Sequence, residues 1–344
     1  MKSALLLGLI ALAGCQAGTA SSPPVASRPA NREAVPPRST GHLWLSVATS
    51  THYPSIERFK LIDGVPETTP DLVYNGYGGD VAVTADGTMY SEAQQYDDAV
   101  FAFPPNSNQP AREITIPKYH HNLCARQDGG RAEISAIATD AAGYLFVGIE
   151  TSGDPLRPKR HRDRSAPTYP RLCADVAVFS PTANGRALPI QLIRYPSSEE
   201  LQSLAVDAAD DLFVDDSGYE VDEFANATSH PKKTRVFSGE YVGNALCIAT
   251  DAKGSLYIGS TDDSYKNGRV ERYAPDAQGS GQPTSTVVLP SGAYVLQSIT
   301  ERGRVLYVDP HDAGVDLYHA RKNGSQSPFY SVAASNLIKM ATGP

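Results

Sequence analysis

Four residues with acid, hydroxyl or amine chemistry share one register of a repeating sequence: Asp80, Ser203, Ser298 and Lys339, with Ala136 and Cys247 filling the same register in the other copies. Asp80 and Lys339 come from neighbouring copies and are expected to pair. A second register holds Glu92, Asp215 and Asp309, each three residues past a landmark Leu or Met, with Ser46, Gly148 and Gly259 at the equivalent points between them. Three carboxylates suggest a cation site. Alternate members of a closed ring stand too far apart, however, for shared coordination at roughly 2.3–2.6 Å. His120 and His121 lack a third ligand at metal spacing, and no Ser-His-Asp constellation can be assembled. No catalytic or metal-binding residue is therefore assigned. The remaining candidates are aromatic: Tyr74, Tyr77, Tyr119, Tyr195, Tyr241 and Tyr294, together with His120 and His121, at the passages between copies. Rigid amphipathic rings there suit a protein, peptide or glycan partner, although tyrosine also favours strand ends for packing reasons alone.

These residues are positioned by a phrase repeated along the chain. Ile137-Ala138-Thr139-Asp140-Ala141-Ala142-Gly143-Tyr144-Leu145-Phe146-Val147 returns as Leu204-Ala205-Val206-Asp207 with Leu212-Phe213-Val214, and again from Ile248 to Ile258. Weaker copies run from Val81 to Tyr90 and from Ile299 to Val308, and a truncated one is Gly41-His42-Leu43-Trp44-Leu45. Each full copy reads as a strand, an Asp/Gly turn and a second strand, which is a β-hairpin. The aspartates accept backbone amides and the glycines take positive φ. A third strand with an aromatic signature follows, as in Val100-Phe101-Ala102-Phe103 and Val270-Glu271-Arg272-Tyr273, and then a fourth, as in Arg112-Glu113-Ile114-Thr115. The landmarks Leu43, Met89, Leu145, Leu212, Leu256 and Leu306 lie 44 to 67 residues apart. Four strands per unit at this period, six times over, predict an all-β six-bladed β-propeller.

The chain's ordered part starts on a second strand, and its last segment, Asn336 to Thr342, matches the first strands of the other copies. The C-terminal strand is therefore expected to complete blade one from the inside and close the ring. Later blades are expected at about 72–117, 118–194, 195–239, 240–290 and 291–335. Val81, Ile137, Leu204, Ile248, Ile299 and Met340 form one core column, and Ala82, Ala138, Ala205, Ala249, Thr300 and Ala341 the next. Alternation places the large column and the small one on opposite faces of the inner strands, so that neighbouring blades interleave.

Met1-Lys2-Ser3 followed by an apolar run to Ala13 reads as a secretion signal, too short to span a bilayer. It ends in Leu12-Ala13-Gly14-Cys15, which resembles the lipobox of bacterial lipoproteins. The resemblance implies cleavage after residue 14, lipid on Cys15, and delivery to the outer membrane of the cell envelope, since Gln16 rather than Asp follows the Cys. Residues 15–40 then form the lipidated Cys and a tether rich in Pro, Ser and Ala, about 28 Å end to end as a random coil, and 41–344 the propeller. In an oxidising envelope Cys124 and Cys173, both on one rim of blade three, are expected to form a disulfide, and closing a loop of about 50 residues would add roughly 4 kcal/mol. Cys247 reads as a buried free thiol. The net charge of −8 argues against nucleic acid as a partner, and the basic run at 157–164 reads as a solvated insertion or a docking arm. A monomer is expected.

The repeats, Ala138 to Val147 above all, resemble those of NHL-repeat and gluconolactonase-like (senescence marker protein) six-bladed propellers over residues 41–344. Gluconolactonase-type members hold a central divalent metal with inner-ring Glu, Asn and Asp. Here the equivalent columns are Ala, Ser and apolar residues, with only Asp80 acidic, and the His and Glu of related lyases find no match. The expectation is therefore a tethered binding or scaffold module without cofactor; the alternative is a metal-dependent lactonase or hydrolase, or a lyase.

Overall fold

Turn chemistry sets the local structure. Asp207 Oδ1 accepts the amides of Ala209 (2.8 Å) and Asp211 (3.0 Å), and Asp251 Oδ1 those of Lys253 and Ser255, both at 2.9 Å. Asp140 Oδ1 likewise accepts the Tyr144 amide at 2.8 Å. Each turn needs one residue in the left-handed region. Gly143 (φ 89°) and Gly254 (φ 79°) supply it, and in the fourth blade Asp210 takes the same place at φ 67°. This is a conformation that an acidic or amide side chain tolerates better than most.

The computed structural model describes residues 40–48, 54–93, 96–116, 131–152, 174–195, 201–216, 220–238, 242, 244–261, 267–279, 281–290, 298–310, 314–334 and 336–344. Within them the strands form six sheets, antiparallel but for one short edge pair, and no helix occurs among the described residues. From inside to outside, blade two is Val81–Val83, Met89–Ala93, Tyr96–Phe103 and Arg112–Thr115. Blade three is Arg131–Thr139, Leu145–Ser152, Ala174–Phe179 and Gln191–Tyr195, and blade four is Ser203–Val206, Leu212–Asp215, Glu220–Ala225 and Lys232–Ser238. Blade five is Asn244–Thr250, Leu256–Thr261, Gly268–Tyr273 and Ser285–Val288. Blade six is Ser298–Arg302, Val305–Asp309, Val315–His319 and Tyr330–Val332. The inner strand of each blade neighbours those of the blades before and after it, the sixth meeting the first. The fold is a closed six-bladed β-propeller.

Closure comes from the C-terminal strand. Leu337–Gly343 pairs antiparallel with Gly41–Val47, Met340 opposite Leu45 and Ala341 opposite Trp44, as the inner strand of blade one. That blade continues outward with Ser55–Ile62, against which both Val65–Pro66 and Leu72–Asn75 pair. Leu72–Asn75 is thus the outer strand of blade one rather than the start of blade two. The backbone pairing of Ile56 with Tyr74 and of Arg58 with Leu72 decides this. A second departure is Gly324–Ser325, which lies between strands of blade six yet adds a parallel edge to blade five.

Size complementarity explains the small column of the inner strands. Ala341, Ala82, Ala138, Ala205, Ala249 and Thr300 stand directly across from Trp44, Tyr90, Phe146, Phe213, Tyr257 and Tyr307 on the second strands. Each of these aromatic residues is at most 1% exposed. A small residue beside each ring lets blades splayed like a fan approach closely at the centre.

Candidate functional site at the channel mouth

The inner strand is the free edge of every blade, so part of its backbone lacks a ladder partner. The polar register meets this need. Asp80 Oδ2 accepts the amide of Ile137 at 2.6 Å, Ser203 Oγ that of Ile248 at 3.2 Å, and Ser298 Oγ that of Met340 at 3.1 Å. In each case the acceptor sits in blade two, four or six and the amide in the next blade. The receiving blades share a defect. Each carries a β-bulge in the inner strand at the same depth, the ladder stepping from Ala136 to Ile134, from Cys247 to Ala245 and from Lys339 to Leu337. Bulges re-aim backbone and leave it unpaired. The interfaces thus alternate: two with three, four with five and six with one combine such a bond with a bulge, while at the others the Gly79 amide meets Ser46 Oγ, the Leu201 amide Glu150 and the Thr286 amide Asn323.

Further bonds follow the same pairing. Arg112 of blade two donates to the carbonyls of Pro181 and Ala183 in blade three, and Arg235 of blade four to those of Pro275 and Ala277 in blade five. Tyr307 of blade six donates to the Gly64 carbonyl of blade one at 2.8 Å. Thr250 Oγ1 donates to the Val206 carbonyl, and the hydroxyls of Thr342 and Thr300 meet at 3.0 Å. The alternation of Glu92, Asp215 and Asp309 with Ser46, Gly148 and Gly259 is the part of this pairing visible in the sequence. The bulges at Ser135, Leu246 and Ile338 have no sequence signature of their own.

Lys339 crosses the channel. Its strand belongs to blade one, and its ammonium donates to the Gln202 carbonyl of blade four, on the opposite side of the ring, at 3.4 Å. Asp80 uses its carboxylate on the amides of Ile137 and Val81. The expected pair is therefore an electrostatic one: burial raises the Asp80 carboxyl above its usual range, and the Lys339 charge and the two amides oppose that rise. Cys247 is buried and free, its thiol pushed up by burial with Lys339 opposing. Such a thiol is inert. Among the described residues no group of three or more His, Cys, Asp or Glu side chains is placed to hold a metal ion.

The aromatic candidates divide. Tyr74 is 1% exposed and packs edge-on against Phe103 (5.1 Å between ring centres), while Tyr77 meets Phe101 and Phe103 at 5.3 and 4.7 Å. Tyr195 is 4% exposed, donates to Asp216 at 3.0 Å and packs on Phe224 of the next blade. Burial, with Asp222 and Asp216 alongside, pushes its hydroxyl far above the ordinary range. For these tyrosines the placement is that of interface packing. Tyr119, His120, His121, Tyr241 and Tyr294 lie outside the described residues, as do Cys15, Cys124, Cys173 and the basic run at 157–164.

The ring and its channel define the class: a six-bladed β-propeller whose blade interfaces alternate in kind. No protein-family model and no curated protein matches the chain. One expectation about the pairs is direct. Ser298→Ala leaves the Met340 amide without its acceptor in a buried setting and should cost about 1–3 kcal/mol, and Ser203→Ala a similar amount at Ile248. Chemical denaturation of each variant measures this, and a midpoint unchanged in both would remove the hydroxyls from the account of blade pairing.

Proposed function

We propose that this propeller is a non-catalytic binding or scaffold module of the bacterial cell envelope. It is held at the outer membrane by lipid on Cys15 and takes a protein, peptide or glycan partner at the rim opposite the hairpin turns. One observation supports this best: Asp80, Ser203 and Ser298, the chemistry-bearing residues of the channel mouth, each hold a backbone amide of the next blade. Their groups serve the ring. The partner would then meet the rim residues Tyr119, His120, His121, Tyr241 and Tyr294. In this reading the likeness to NHL-repeat and gluconolactonase-like propellers is one of blade architecture.

The test is a comparison of the wild type with Tyr241→Ala combined with Tyr294→Ala, both immobilised and exposed to fractionated envelope glycans and peptides. The wild type should retain a component that the double variant loses at unchanged melting temperature. Equal retention by both sinks the rim model. A stoichiometric divalent ion in the purified protein, with lactone hydrolysis that chelation stops, would replace the module by an enzyme. The same reading includes the Cys124–Cys173 bridge of blade three. Non-reduced peptide mapping of envelope-expressed protein should recover that link with Cys247 free, and Cys247 in a bridge would contradict its buried position.

A further inference from the structure

Charge is unevenly distributed over the face that carries the hairpin turns. On blade six the turn between Ser298–Arg302 and Val305–Asp309 contributes Arg302 and Arg304, and the loop after Val315–His319 contributes Arg321 and Lys322. The two are joined, because the Ala320 amide donates to the Arg304 carbonyl at 3.0 Å and so sets Arg321 beside the Arg304 turn. Arg304, Arg321 and Lys322 are exposed, and Lys60 at the hairpin end of blade one is exposed as well. Arg302 is partly covered and donates through Nε to the carbonyl of Thr40, the first described residue, at 3.0 Å.

Few carboxylates offset this group. Glu301 accepts the Arg304 amide at 2.7 Å and interacts with Arg321 from a partly buried position, and Asp71 is engaged by Arg58. Asp63 is exposed in the neighbouring turn, and the partly exposed Glu67 sits beside Lys60, its amide donating to the Lys60 carbonyl at 2.9 Å. At the turn of blade four, across the ring from blade one, Asp207, Asp210 and Asp211 lie on the same face as the exposed Lys232 and Lys233, so the charges there are mixed. The blade-six edge of the hairpin face is thus cationic, although the chain as a whole carries −8.

We propose that the blade-six edge of the hairpin face docks on the anionic phospholipid headgroups of the membrane. Arg304, Arg321, Lys322 and Lys60 would meet the headgroup phosphates. The choice of a membrane rests on the lipid tether read at Cys15 and on Arg302, which fixes the point where that tether joins the ring within the patch itself. Read from the sequence as a random coil, the tether would average about 28 Å, more than the screening length of about 8 Å at physiological salt. It confines the ring near the membrane without orienting it, and orientation needs a second, short-range attraction of the kind a basic patch supplies.

The experiment uses the chain from residue 16, which lacks both the apolar leader and the lipid, and co-sedimentation with vesicles of phosphatidylcholine alone or mixed with phosphatidylglycerol. The chain should bind only the phosphatidylglycerol vesicles and be released by salt. Adding Arg304→Gln, Arg321→Gln and Lys322→Gln should weaken that binding on the order of a hundredfold, about fivefold per cation, with an unchanged melting temperature. If the triple variant fails to fold, Lys322→Gln alone should lose about fivefold. Equal binding to both vesicle types, or a phosphatidylglycerol preference that survives the substitutions, overturns the docking surface. Failure of the lipid reading is seen separately, as wild-type protein whose mass shows no acyl group on Cys15. The vesicle preference can persist in that case.

Discussion

Removal of residues 336–344 should abolish cooperative folding of the whole ring. The strand Leu337–Gly343 is the inner strand of blade one, and its loss strips the ladder from Gly41–Val47 and the bond from the Ala48 amide to the Asn336 carbonyl. It also uncovers one side of Trp44 and the cluster in which Leu337 and Met340 pack against Leu43, Leu45 and Tyr307. Two buried apolar side chains contribute roughly 3–6 kcal/mol together. The exposed backbone edge and the lost Ser298–Met340 bond add to this, against a total stability on the order of 5–15 kcal/mol. The ring would also be opened between blades six and two, where the inner strand of blade one otherwise touches both neighbours. Far-UV circular dichroism of the truncated chain should show residual strand and a broad melt. A single transition within a few degrees of the full chain would show that closure by this strand contributes little.

Most of the architecture was legible because a propeller writes its core into a repeat. The opposition of Ala138 to Phe146, or of Ala205 to Phe213, follows from hairpin register alone, and register follows from turns whose Asp and Gly can be read directly. Met340 and Ala341 could be matched to the same columns, so closure was legible as well. The sequence misled where an edge could pair in two directions. Leu72–Asn75 reads as the start of blade two but pairs with blade one, and Gly324–Ser325 crosses to blade five by backbone bonds beside the Asn323 side chain, which accepts the Thr286 amide. The channel mouth was half legible. Asp80, Ser203 and Ser298 were visible as a polar register, but their task depends on bulges in the adjacent blades. A bulge is set by the pairing of two strands and is invisible in either one. The reach of Lys339 to Gln202 across the ring was likewise hidden, because it joins blades separated by half the circle.

A column of carboxylates in the blade interfaces leads to the second large effect, a loss of stability as pH rises from about 5 to 8. Glu57, Asp222, Glu271 and Asp316 occupy equivalent places on the third strands of blades one, four, five and six, each sharing its strand face with the aromatic residue two positions on that packs against the preceding blade. Burial raises the carboxyls of Glu57 and Asp316, and raises that of Glu271 to about 7 even with Arg269 at 3.3 Å and the Tyr273 hydroxyl at 3.4 Å. A carboxyl whose folded pKa is raised favours folding in its protonated form. Its contribution is complete below the unfolded value near 4.5 and is lost as pH climbs through the folded value near 7. Desolvation acts in the same direction at Asp80, Asp207 and Glu301, whereas Asp86, exposed in its turn and lowered by its bonds to Thr84 and Thr88, acts oppositely. For Glu271, which is 1% exposed, the shift corresponds to on the order of 3 kcal/mol between the two ends of that window. The melting temperature should therefore be higher near pH 5 than near pH 8. Glu271→Gln, which keeps the shape of the protonated side chain, should match the wild type near pH 5 and exceed it near pH 8. A variant whose melting temperature falls with pH as steeply as the wild type would acquit Glu271 and place the dependence elsewhere in the ring.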